Sequence, residues 1–408
     1  MISIAVLGHG VVGSGVAEVL TINQGSITEK VGQPVVVKRI LDLRSFPQLP
    51  YADKFTTNFD DIVNDTEISI VVETMGGLHP AYDYAKAALS AGKSVVTSNK
   101  ELVAAKGDEL LALAQANNVS FLFEASVGGG IPIIRPLWQC LAANEVEGIA
   151  GILNGTTNFM LTHMVQDGMS FEDALALAQQ LGYAERNPAA DVEGMDACRK
   201  ICILASLAFG KHVYPDQVHT EGITHLTAAD VRCAEQLGCV IKLIGKARRT
   251  EDGVYCLVAP MLVPKDSILS GVNDVFNAIL VQGNAVGDVV FYGKGAGKLP
   301  TASAVVADVI DAAKHQGAPH CLSWEPAAPN HVLNSTDEAF SFLIRFETTE
   351  REALSARLVE SFGDITVVNC LENELVVVTS PLSEKELSRR LSALPEAAPI
   401  SCLRIASL

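Results

Sequence analysis

The chain has 408 residues, and at roughly 150 residues per domain this length suggests two or three domains. Hydrophobic residues make up 49% and charged residues 19%, which excludes an intrinsically disordered chain. The formal net charge of −17 means that most of the surface would repel a polyanion. We therefore expect a globular protein that binds neither nucleic acid nor a membrane.

The longest apolar runs, 201–209 and 254–263, fall well short of the about 18 residues that span a bilayer. The first residues form an apolar, strand-like segment without the basic region or cleavage site of a signal peptide. Nine Cys residues with no Cys-x-x-Cys spacing favour reduced thiols over a disulfide framework. The His residues show no His-Glu-x-x-His spacing, so the sequence predicts no zinc site. We expect a cytoplasmic protein.

The first 130 residues alternate short apolar runs with helical patterns, as in a parallel sheet with crossover helices. This alternation predicts a Rossmann-like doubly wound parallel sheet, with a loop before the second strand. The predicted strands are 2–7, 35–41, 69–73, 94–97 and 120–123, and the predicted helices are 11–20, 80–91 and 101–117.

Beyond residue 132 the pattern predicts an α+β second domain and then a small C-terminal unit. Residues 317–330 contain three Pro and are the predicted linker, so we expect the last 78 residues to be separable and to have the order βαββαβ. The predicted helices are 133–143, 170–181, 191–209, 301–314, 351–361 and 383–393, and the predicted strands are 148–153, 242–249, 255–262, 340–346, 365–371, 374–379 and 400–405.

A glycine-rich turn lies between the first strand and the first helix. Gly8, Gly10 and Gly13 fit the dinucleotide-binding fingerprint, and Val11 and Val12 begin the helix whose positive end would face a pyrophosphate. A purely structural turn is the alternative, but strand, turn and helix agree with the binding interpretation.

Charged residues at the end of the second strand bear on the choice between NAD and NADP. Asp42 could bind the adenosine ribose and repel a 2′-phosphate. Strand alternation places Lys38 on the same face as Asp42, and Arg44 lies just beyond, so either cation could offset that repulsion. A solvated carboxylate is the alternative. We expect both cofactors to work, with a small preference for NAD.

Thr74, Ser98 and Lys100 follow two later strands of the predicted sheet. The carboxyl ends of parallel strands face the ligand crevice, so Lys100 could hold a cofactor or substrate oxygen. An ordinary exposed lysine is the alternative.

The segment 181–200 concentrates acids and bases around one turn of a predicted helix. Asp196 and Lys200 lie four residues apart and share a helix face, which continues into the apolar run 201–209. Partial burial would tune the pKa of Lys200 for proton transfer, whereas a solvated salt bridge is the ordinary alternative.

Two further motifs lie at junctions between elements. Residues 154–158, Asn-Gly-Thr-Thr-Asn, offer hydroxyls and amides to a small polar substrate, or merely cap a helix. Glu124 with the glycine turn 128–130 could bind a hard cation or serve as a plain hinge.

With these motifs together, the chain resembles the homoserine dehydrogenase family in its long form with a C-terminal ACT-like domain. The segments that carry the resemblance are 98–100, 154–158, 182–200 and 293–303. The resemblance implies reversible reduction of L-aspartate 4-semialdehyde to L-homoserine by NAD(P)H, on the route to threonine and methionine.

The resemblance also implies roles for individual residues. Lys200 matches the proton donor, and Lys100 matches a lysine near the nicotinamide and the reacting oxygen. The implied substrate-binding residues are Thr156, Gly182, Glu185, Asp191 and Asp196, the implied cofactor residues include Thr74, Ser98 and Gly297, and the implied sodium ligands are Glu124, Val127, Gly129 and Ile131.

The implied architecture has three domains and a homo-oligomeric state, dimer or tetramer. A nucleotide-binding domain spans 1–132 and is completed by 295–320, a substrate-binding and dimerisation domain spans 133–294, and an ACT-like regulatory domain spans 331–408. The C-terminal unit lacks the Asp-x-Pro-Gly turn usual in ACT domains, so threonine feedback stays open.

Two other classes share parts of this pattern. An acylating semialdehyde dehydrogenase needs a nucleophilic Cys, and no Cys lies in or beside 154–158. A non-catalytic dinucleotide sensor would have no use for Lys100, Glu185, Asp196 and Lys200 together.

Overall fold

A computed structural model describes residues 1–320, 322–394 and 398–407. The chain forms two compact units, each built from three separate segments. Unit 1 contains 1–146, 202–215 and 283–329, and unit 2 contains 147–201, 216–282 and 330–408. The predicted three-domain division stays a prediction; in the structure, the C-terminal segment shares a unit with 147–201 and 216–282.

The described residues form 17 strands and 13 α-helices, numbered here in chain order. Among these helices, no segment is both long and apolar enough to cross a bilayer. The strands are β1 (Ile2–Leu7), β2 (Val35–Leu41), β3 (Phe55–Thr56), β4 (Ile68–Glu73), β5 (Ser94–Thr97), β6 (Phe121–Leu122), β7 (Val146–Ile152), β8 (His219–Thr220), β9 (Cys239–Arg249), β10 (Val254–Pro264), β11 (Phe276–Gly283), β12 (Gly287–Lys294), β13 (Ala339–Glu347), β14 (Ile365–Val368), β15 (Glu374–Thr379), β16 (Leu382–Ser383) and β17 (Pro399–Ile405). The helices are α1 (Val11–Ile22), α2 (Gln24–Val31), α3 (Asp60–Val63), α4 (Ala81–Ser90), α5 (Lys100–Ala116), α6 (Gly155–Gln166), α7 (Phe171–Gln180), α8 (Ala189–Val192), α9 (Met195–Phe209), α10 (Ala228–Gln236), α11 (Lys298–Lys314), α12 (Arg351–Phe362) and α13 (Glu384–Ser392).

Unit 1 is built on a six-stranded parallel sheet with the order β3-β2-β1-β4-β5-β6. The whole of β1 is buried, which explains why its sequence is an uninterrupted apolar run rather than an alternating one. The strand order reverses direction between β1 and β4, where doubly wound sheets bind their ligands. The predicted Rossmann-like sheet is therefore confirmed.

Two local predictions in unit 1 are wrong. The predicted loop before β2 is largely the helix α2, which ends at Gly32 in a left-handed conformation with φ of 82°. The alternation expected along β2 also fails, because Ile4 pairs with Val37 whereas Ala5 pairs with Arg39, so the register skips Lys38. Lys38 Nζ instead pairs with Asp65 at 2.6 Å, away from Asp42.

The helix predicted over 133–143 is shorter and differently wound. Residues Pro136–Cys140 form a π-helical turn, closed by a bond from the Leu141 N–H to the Pro136 carbonyl at 2.9 Å. Pro136 has no N–H and so cannot extend a regular α-helical ladder from the preceding turn.

Unit 2 contains a mostly antiparallel sheet in which β11, β7, β9, β10, β17, β13, β15 and β14 are neighbours in that order. The C-terminal elements follow the predicted βαββαβ order except for one additional two-residue strand, β16, which lies between β15 and α13 and pairs with β13. Its last strand, β17, pairs with β10 in parallel at Met261 and Leu262, so the C-terminal segment continues the sheet of the rest of unit 2.

Ion pairs and one disulfide also join the C-terminal segment to the rest of unit 2. Arg345 pairs with Asp230 at 2.7 Å in a buried position. Cys233 of α10 forms a disulfide with Cys370, so the expectation of reduced thiols is wrong for these two residues. The free thiols among the described residues are Cys140, Cys198, Cys202, Cys239, Cys256 and Cys402, and Cys321 lies outside the described residues.

Candidate active site

The glycine-rich turn after β1 has the geometry that a dinucleotide needs. Gly8 has φ of 91°, a left-handed conformation that favours glycine. A Cβ on Gly13 would lie 1.9 Å from the Gly8 carbonyl oxygen, so only glycine lets α1 approach β1 this closely. A Cβ on Gly10 would meet no atom within 4 Å, which leaves open space before the N-terminus of α1. A pyrophosphate could approach the backbone there.

A cavity of about 460 Å³ lies at the carboxyl ends of β1, β2 and β4. Asp42 lines it, at the end of β2. Both Asp42 oxygens already accept hydrogen bonds, from the His9 N–H at 2.7 Å and the Arg44 N–H at 2.9 Å. The Arg44 guanidinium adds an ion pair at 2.9 Å and is the main cause that holds the pKa of Asp42 far below its usual range. Asp42 and Arg44 therefore act as one unit.

The ring of His9, within the glycine-rich turn, supports the cavity wall. It contacts the rings of Phe46, Tyr51 and Phe55, with centroids 4.9, 5.8 and 5.1 Å away. Burial is the main cause that lowers the pKa of His9. Sequence reasoning missed this role, because a residue between two fingerprint glycines gives no signal of its own.

The residues after β4 and β5 shape the neighbouring part of the same edge. Thr74 donates its hydroxyl to the Leu7 and Gly8 carbonyls at 3.0 Å each, which fixes the glycine-rich turn. Ser98 follows β5, and Lys100 is the first residue of α5, whose N-terminus is capped by the Asn99 side chain.

Glu73 at the end of β4 is a buried carboxylate. It accepts a hydrogen bond from the Thr97 hydroxyl at 2.6 Å and another from the Met75 N–H at 2.7 Å. Desolvation is the main cause that raises its pKa. The hydrogen bond to Thr97 ties the end of β4 to the end of β5. Glu73 thereby helps to position the segment that contains Ser98 and Lys100.

Gly297 lies directly before α11 and has φ of 126°, so the chain turns sharply into this helix. The helix packs against α1, where a Cβ on Gly15 would lie 2.9 Å from the Lys298 carbonyl oxygen. Gly297 therefore belongs to unit 1 and directly precedes Lys298, whose carbonyl oxygen lies close to α1.

In unit 2, Lys200 and Asp196 form a buried pair on α9. The Lys200 Nζ donates to the Asp196 carboxylate at 2.7 Å and to the Leu153 carbonyl at 2.8 Å. The two residues are 8% and 3% exposed, so this pair is not the solvated salt bridge of the alternative interpretation. The predicted helix 191–209 is interrupted at Gly194, whose φ is 84°, and α9 starts just after it.

Asn154 organises the carboxylates around this lysine. Its amide nitrogen donates to Asp191 at 2.7 Å and to Asp196 at 2.8 Å. Its amide oxygen caps α6 by accepting from the Thr157 N–H at 2.8 Å and from the Thr157 hydroxyl at 2.9 Å. The motif 154–158 was noted in the sequence, but its Asn154 was not singled out. An Asn between a strand and a helix is the signal that indicates the cap.

Three further candidate residues lie on the loop 181–188 and the start of α6. Thr156 donates its hydroxyl to the Tyr183 carbonyl at 2.7 Å, which ties the loop to α6. Gly182 has φ of 78°, and the side chain of Glu185 is exposed to solvent. The loop therefore presents a carboxylate at the surface while its backbone is anchored.

The Glu124 carboxylate binds main-chain amides. Its oxygens accept from the N–H groups of Ile133 at 2.5 Å, Ile134 at 2.8 Å and Arg135 at 2.8 Å. It thereby caps the start of the helical turn before Pro136.

The nearby glycine turn allows two backbone segments to approach closely. A Cβ on Gly129 would lie 2.2 Å from the Gly295 carbonyl oxygen, and the Gly130 N–H donates to the Lys294 carbonyl at 3.2 Å. The Ile131 N–H closes the turn on the Gly128 carbonyl at 2.8 Å. The close approach of the two segments gives these glycines a structural role. Val127, which precedes the turn, is buried.

Comparison with known proteins gives two family matches along the chain. Residues 8–124 match the homoserine dehydrogenase NAD-binding domain, and residues 132–310 match the homoserine dehydrogenase domain. A homoserine dehydrogenase from Pseudomonas aeruginosa is 37% identical over 412 residues, covering 96% of this chain and 95% of that protein.

Solved structures give the same result. The crystal structure of a homoserine dehydrogenase from Thiobacillus denitrificans has a TM-score of 0.90 and 38% identity, covering 100% of this chain and 98% of that one. A hyperthermophilic archaeal homoserine dehydrogenase in complex with NADPH has a TM-score of 0.65 and 28% identity, covering 76% of this chain and 97% of that one. The chain thus belongs to the homoserine dehydrogenase family and is an oxidoreductase with a dinucleotide-binding domain.

Proposed function

We propose that the protein catalyses the reversible, NAD(P)-dependent interconversion of L-aspartate 4-semialdehyde and L-homoserine, in threonine and methionine biosynthesis. The observation that carries this proposal is the buried network of Lys200, Asp196 and Asn154 in a chain whose other unit holds a dinucleotide turn. An aldehyde reduction needs a hydride donor and a proton for the developing alkoxide. Family membership supports the same reaction.

The residues of unit 1 fit a nicotinamide dinucleotide. The open space at Gly10 suits a pyrophosphate, and the cavity beside Asp42 suits an adenosine ribose. NAD(P), when bound, supplies or accepts the hydride. Val11 and Val12 begin the helix that faces the phosphates, and Thr74, Ser98, Lys100 and Gly297 are the other proposed cofactor contacts.

Lys200 is the proposed proton donor in the direction of reduction. Its position is fixed by the Asp196 carboxylate and the Leu153 carbonyl, so the ammonium is held in one orientation. A nearby carboxylate favours the charged amine, while burial opposes it. An ammonium in a buried site both stabilises an alkoxide and transfers a proton to it. Lys100 is proposed to contact the reacting oxygen or the nicotinamide.

The substrate carries an α-ammonium group, which requires carboxylates. Glu185 and Asp196 are the proposed partners, with Asp191 as a supporting residue, and Asp196 also positions Lys200. Asn154 holds Asp191 and Asp196 through its two amide donors, so the two carboxylates keep a fixed separation. Thr156 and Gly182 are proposed to shape the loop that closes this side of the substrate site.

The predicted sodium site does not fit the Glu124 carboxylate. Three main-chain N–H groups donate to this carboxylate and take three of its about four lone-pair positions, which leaves little capacity for a cation. The carbonyls of Val127, Gly129 and Ile131 belong to a tight turn. Glycines are required in this turn because other backbone atoms lie too close to leave room for a Cβ. We derive no step of the reaction from a sodium ion.

The C-terminal βαββαβ segment is proposed to be ACT-like and regulatory. Its strand and helix order supports this, whereas its continuation of the unit 2 sheet argues that it also stabilises the catalytic part. A homo-oligomer and a cytoplasmic location remain predictions. The six described free thiols favour the predicted location, and the Cys233–Cys370 disulfide does not.

Absorbance of the reduced nicotinamide tests the proposed reaction. The purified chain should reduce NAD or NADP when L-homoserine is added, without phosphate or an acyl acceptor. Strict dependence on phosphate would instead indicate an acylating semialdehyde dehydrogenase, and cofactor binding without turnover of either substrate would indicate a sensor.

A further inference from the structure

Asp311, His315 and His320 form a compact cluster at the carboxyl end of α11 and on the loop after it. Each of the three side chains offers one ligand atom, and these atoms all lie within 4.8 Å of one another. Asp311 and His315 are four residues apart and therefore share one face of the helix. His320 returns from the loop to the same place, so two imidazoles and one carboxylate converge.

The distances within the cluster match those between the ligands of a tetrahedral metal ion. Asp311 Oδ1 lies 3.1 Å from His315 Nδ1, and the second oxygen of the same carboxylate, Oδ2, lies 3.3 Å from His320 Nδ1. His315 Nδ1 also lies 2.9 Å from the Asp311 main-chain carbonyl oxygen, a hydrogen bond that metal binding through this atom would replace. With zinc–nitrogen and zinc–oxygen bonds of about 2.0–2.1 Å, neighbouring ligand atoms of a tetrahedral ion lie about 3.3 Å apart. The remaining pair, His315 and His320, lies within the 4.8 Å that spans all three ligand atoms.

The surroundings leave the cluster accessible to an ion from solvent. The side chains of Asp311, His315 and His320 are 15%, 33% and 29% exposed. Arg135 lies 3.8 Å from Asp311 but only 2.6 Å from Asp308, so its closer ion pair is with Asp308. Water could complete the coordination on the exposed side.

The cluster is remote from the proposed cofactor contacts on the same helix. Asp311 lies 14 residues after Gly297, which corresponds to about 20 Å along an α-helix. A metal ion here would therefore brace the end of α11 against the loop rather than take part in the reaction.

A carboxylate–imidazole pair alone does not require a metal. His163 of α6 and Asp167, the residue directly after this helix, form such a pair, with 2.5 Å between Nδ1 and Oδ2. Among the described residues, three His, Cys, Asp or Glu side chains converge in this way only at Asp311, His315 and His320. The His163 pair thus provides a matched control with one ligand fewer.

We propose that Asp311, His315 and His320 bind one divalent transition-metal ion of the zinc class as a structural brace. Sequence spacing missed this site, because the third ligand lies five residues beyond the helical pair. Two imidazoles and a carboxylate suit Zn²⁺ and Co²⁺, whereas Mg²⁺ and Ca²⁺ prefer oxygen ligands.

The test is a titration of the chelator-treated, full-length protein with Co²⁺, followed by its visible absorption, and then competition with Zn²⁺. The proposal predicts one equivalent of tightly bound Co²⁺ without a thiolate charge-transfer band, and a melting temperature that rises with Zn²⁺. His315→Gln and His320→Gln should each weaken binding by more than about tenfold and abolish the rise in melting temperature. His163→Gln should bind like the parent.

Several results would overturn the proposal. These are no binding by the parent, a thiolate band that places the ion at cysteines, or affinities that are unchanged in His315→Gln and His320→Gln. An equal loss of affinity in His163→Gln would also overturn it. The altered side chains are partly exposed, and circular dichroism of each variant without metal verifies that it is folded.

Discussion

Replacing Arg44 with alanine should impair the use of NADP much more than the use of NAD. Arg44 lines the cavity at the end of β2, and its side chain is 63% exposed. Its guanidinium pairs with Asp42 and also donates to the His9 carbonyl at 3.1 Å. A 2′-phosphate bound beside Asp42 would need this cation, since Asp42 alone would repel it.

The size of the effect follows from charge and exposure. Two unit charges 4 Å apart interact by about 1 kcal/mol in water and about 4 kcal/mol at an effective dielectric constant of 20. Arg44 is mostly exposed, so the lower part of this range applies, and about 1.4–2 kcal/mol corresponds to roughly 10- to 30-fold in kcat/KM. Loss of Arg44 also leaves Asp42 without its cation, which acts in the same direction.

The assay compares kcat/KM for NAD and NADP in parent, Arg44→Ala, Asp42→Ser and Arg39→Ala. Arg44→Ala should lower the NADP-to-NAD ratio by at least about tenfold, and Asp42→Ser should raise it by about tenfold. Arg39→Ala removes a cation from the same strand, outside the residues that line the cavity, and should leave the ratio unchanged. A ratio unaffected by Arg44→Ala, or lowered equally by Arg39→Ala, would refute this reasoning.

Three further predictions follow from single residues. Gly13→Ala should abolish cofactor binding, because the new Cβ would lie 1.9 Å from the Gly8 carbonyl oxygen. Gly25→Ala should leave binding intact, because its Cβ would meet no atom within 4 Å. Titration followed by NADPH fluorescence checks both variants, and normal binding by Gly13→Ala would contradict the geometry. Asn154→Ala should lower kcat about hundredfold, because Asp191 and Asp196 lose their common donor, and an unchanged kcat in steady-state assays would exclude this positioning role. Burial lowers the pKa of Lys242 from 10.5 to about 8, so the unfolded chain binds more protons than the folded chain between these values. The free energy of unfolding should then rise with pH from about 8 to 10.5, with at most about 3 kcal/mol of that rise due to Lys242. Urea unfolding of Lys242→Met should show a smaller rise, because burial also lowers the pKa values of Lys93 and Lys246; a rise of equal size in the variant would refute this.

The sequence predicted the elements that position the candidate site because their local signals agree. The apolar run of β1, the glycine-rich turn and the amphipathic α1 all indicate the same strand–turn–helix unit. The spacing of Asp196 and Lys200 placed both on one face of a helix, and the structure confirms their contact. Such features depend on neighbours close in sequence, which periodicity can detect.

The remaining features depend on contacts between distant residues. The irregularity at Lys38 moves this side chain to Asp65, and alternation along one strand cannot reveal a register shift set by its partner strand. The pairing of β17 with β10 likewise depends on residues more than 130 positions apart, and the Pro-rich stretch before the C-terminal segment gave no sign of it. The third member of the Asp311 cluster is brought back by a loop.

In the proposed reaction, the proton is transferred by Lys200, which Asp196 and the Leu153 carbonyl hold in place. The most direct test is kcat for L-homoserine oxidation by Lys200→Met, beside Lys242→Met, which removes another buried lysine of the same unit. With both variants folded and binding NADPH normally, we predict a loss of about 10²- to 10⁴-fold for Lys200→Met and a change of at most a few-fold for Lys242→Met. Turnover by Lys200→Met within a few-fold of the parent would contradict the proposed role of Lys200.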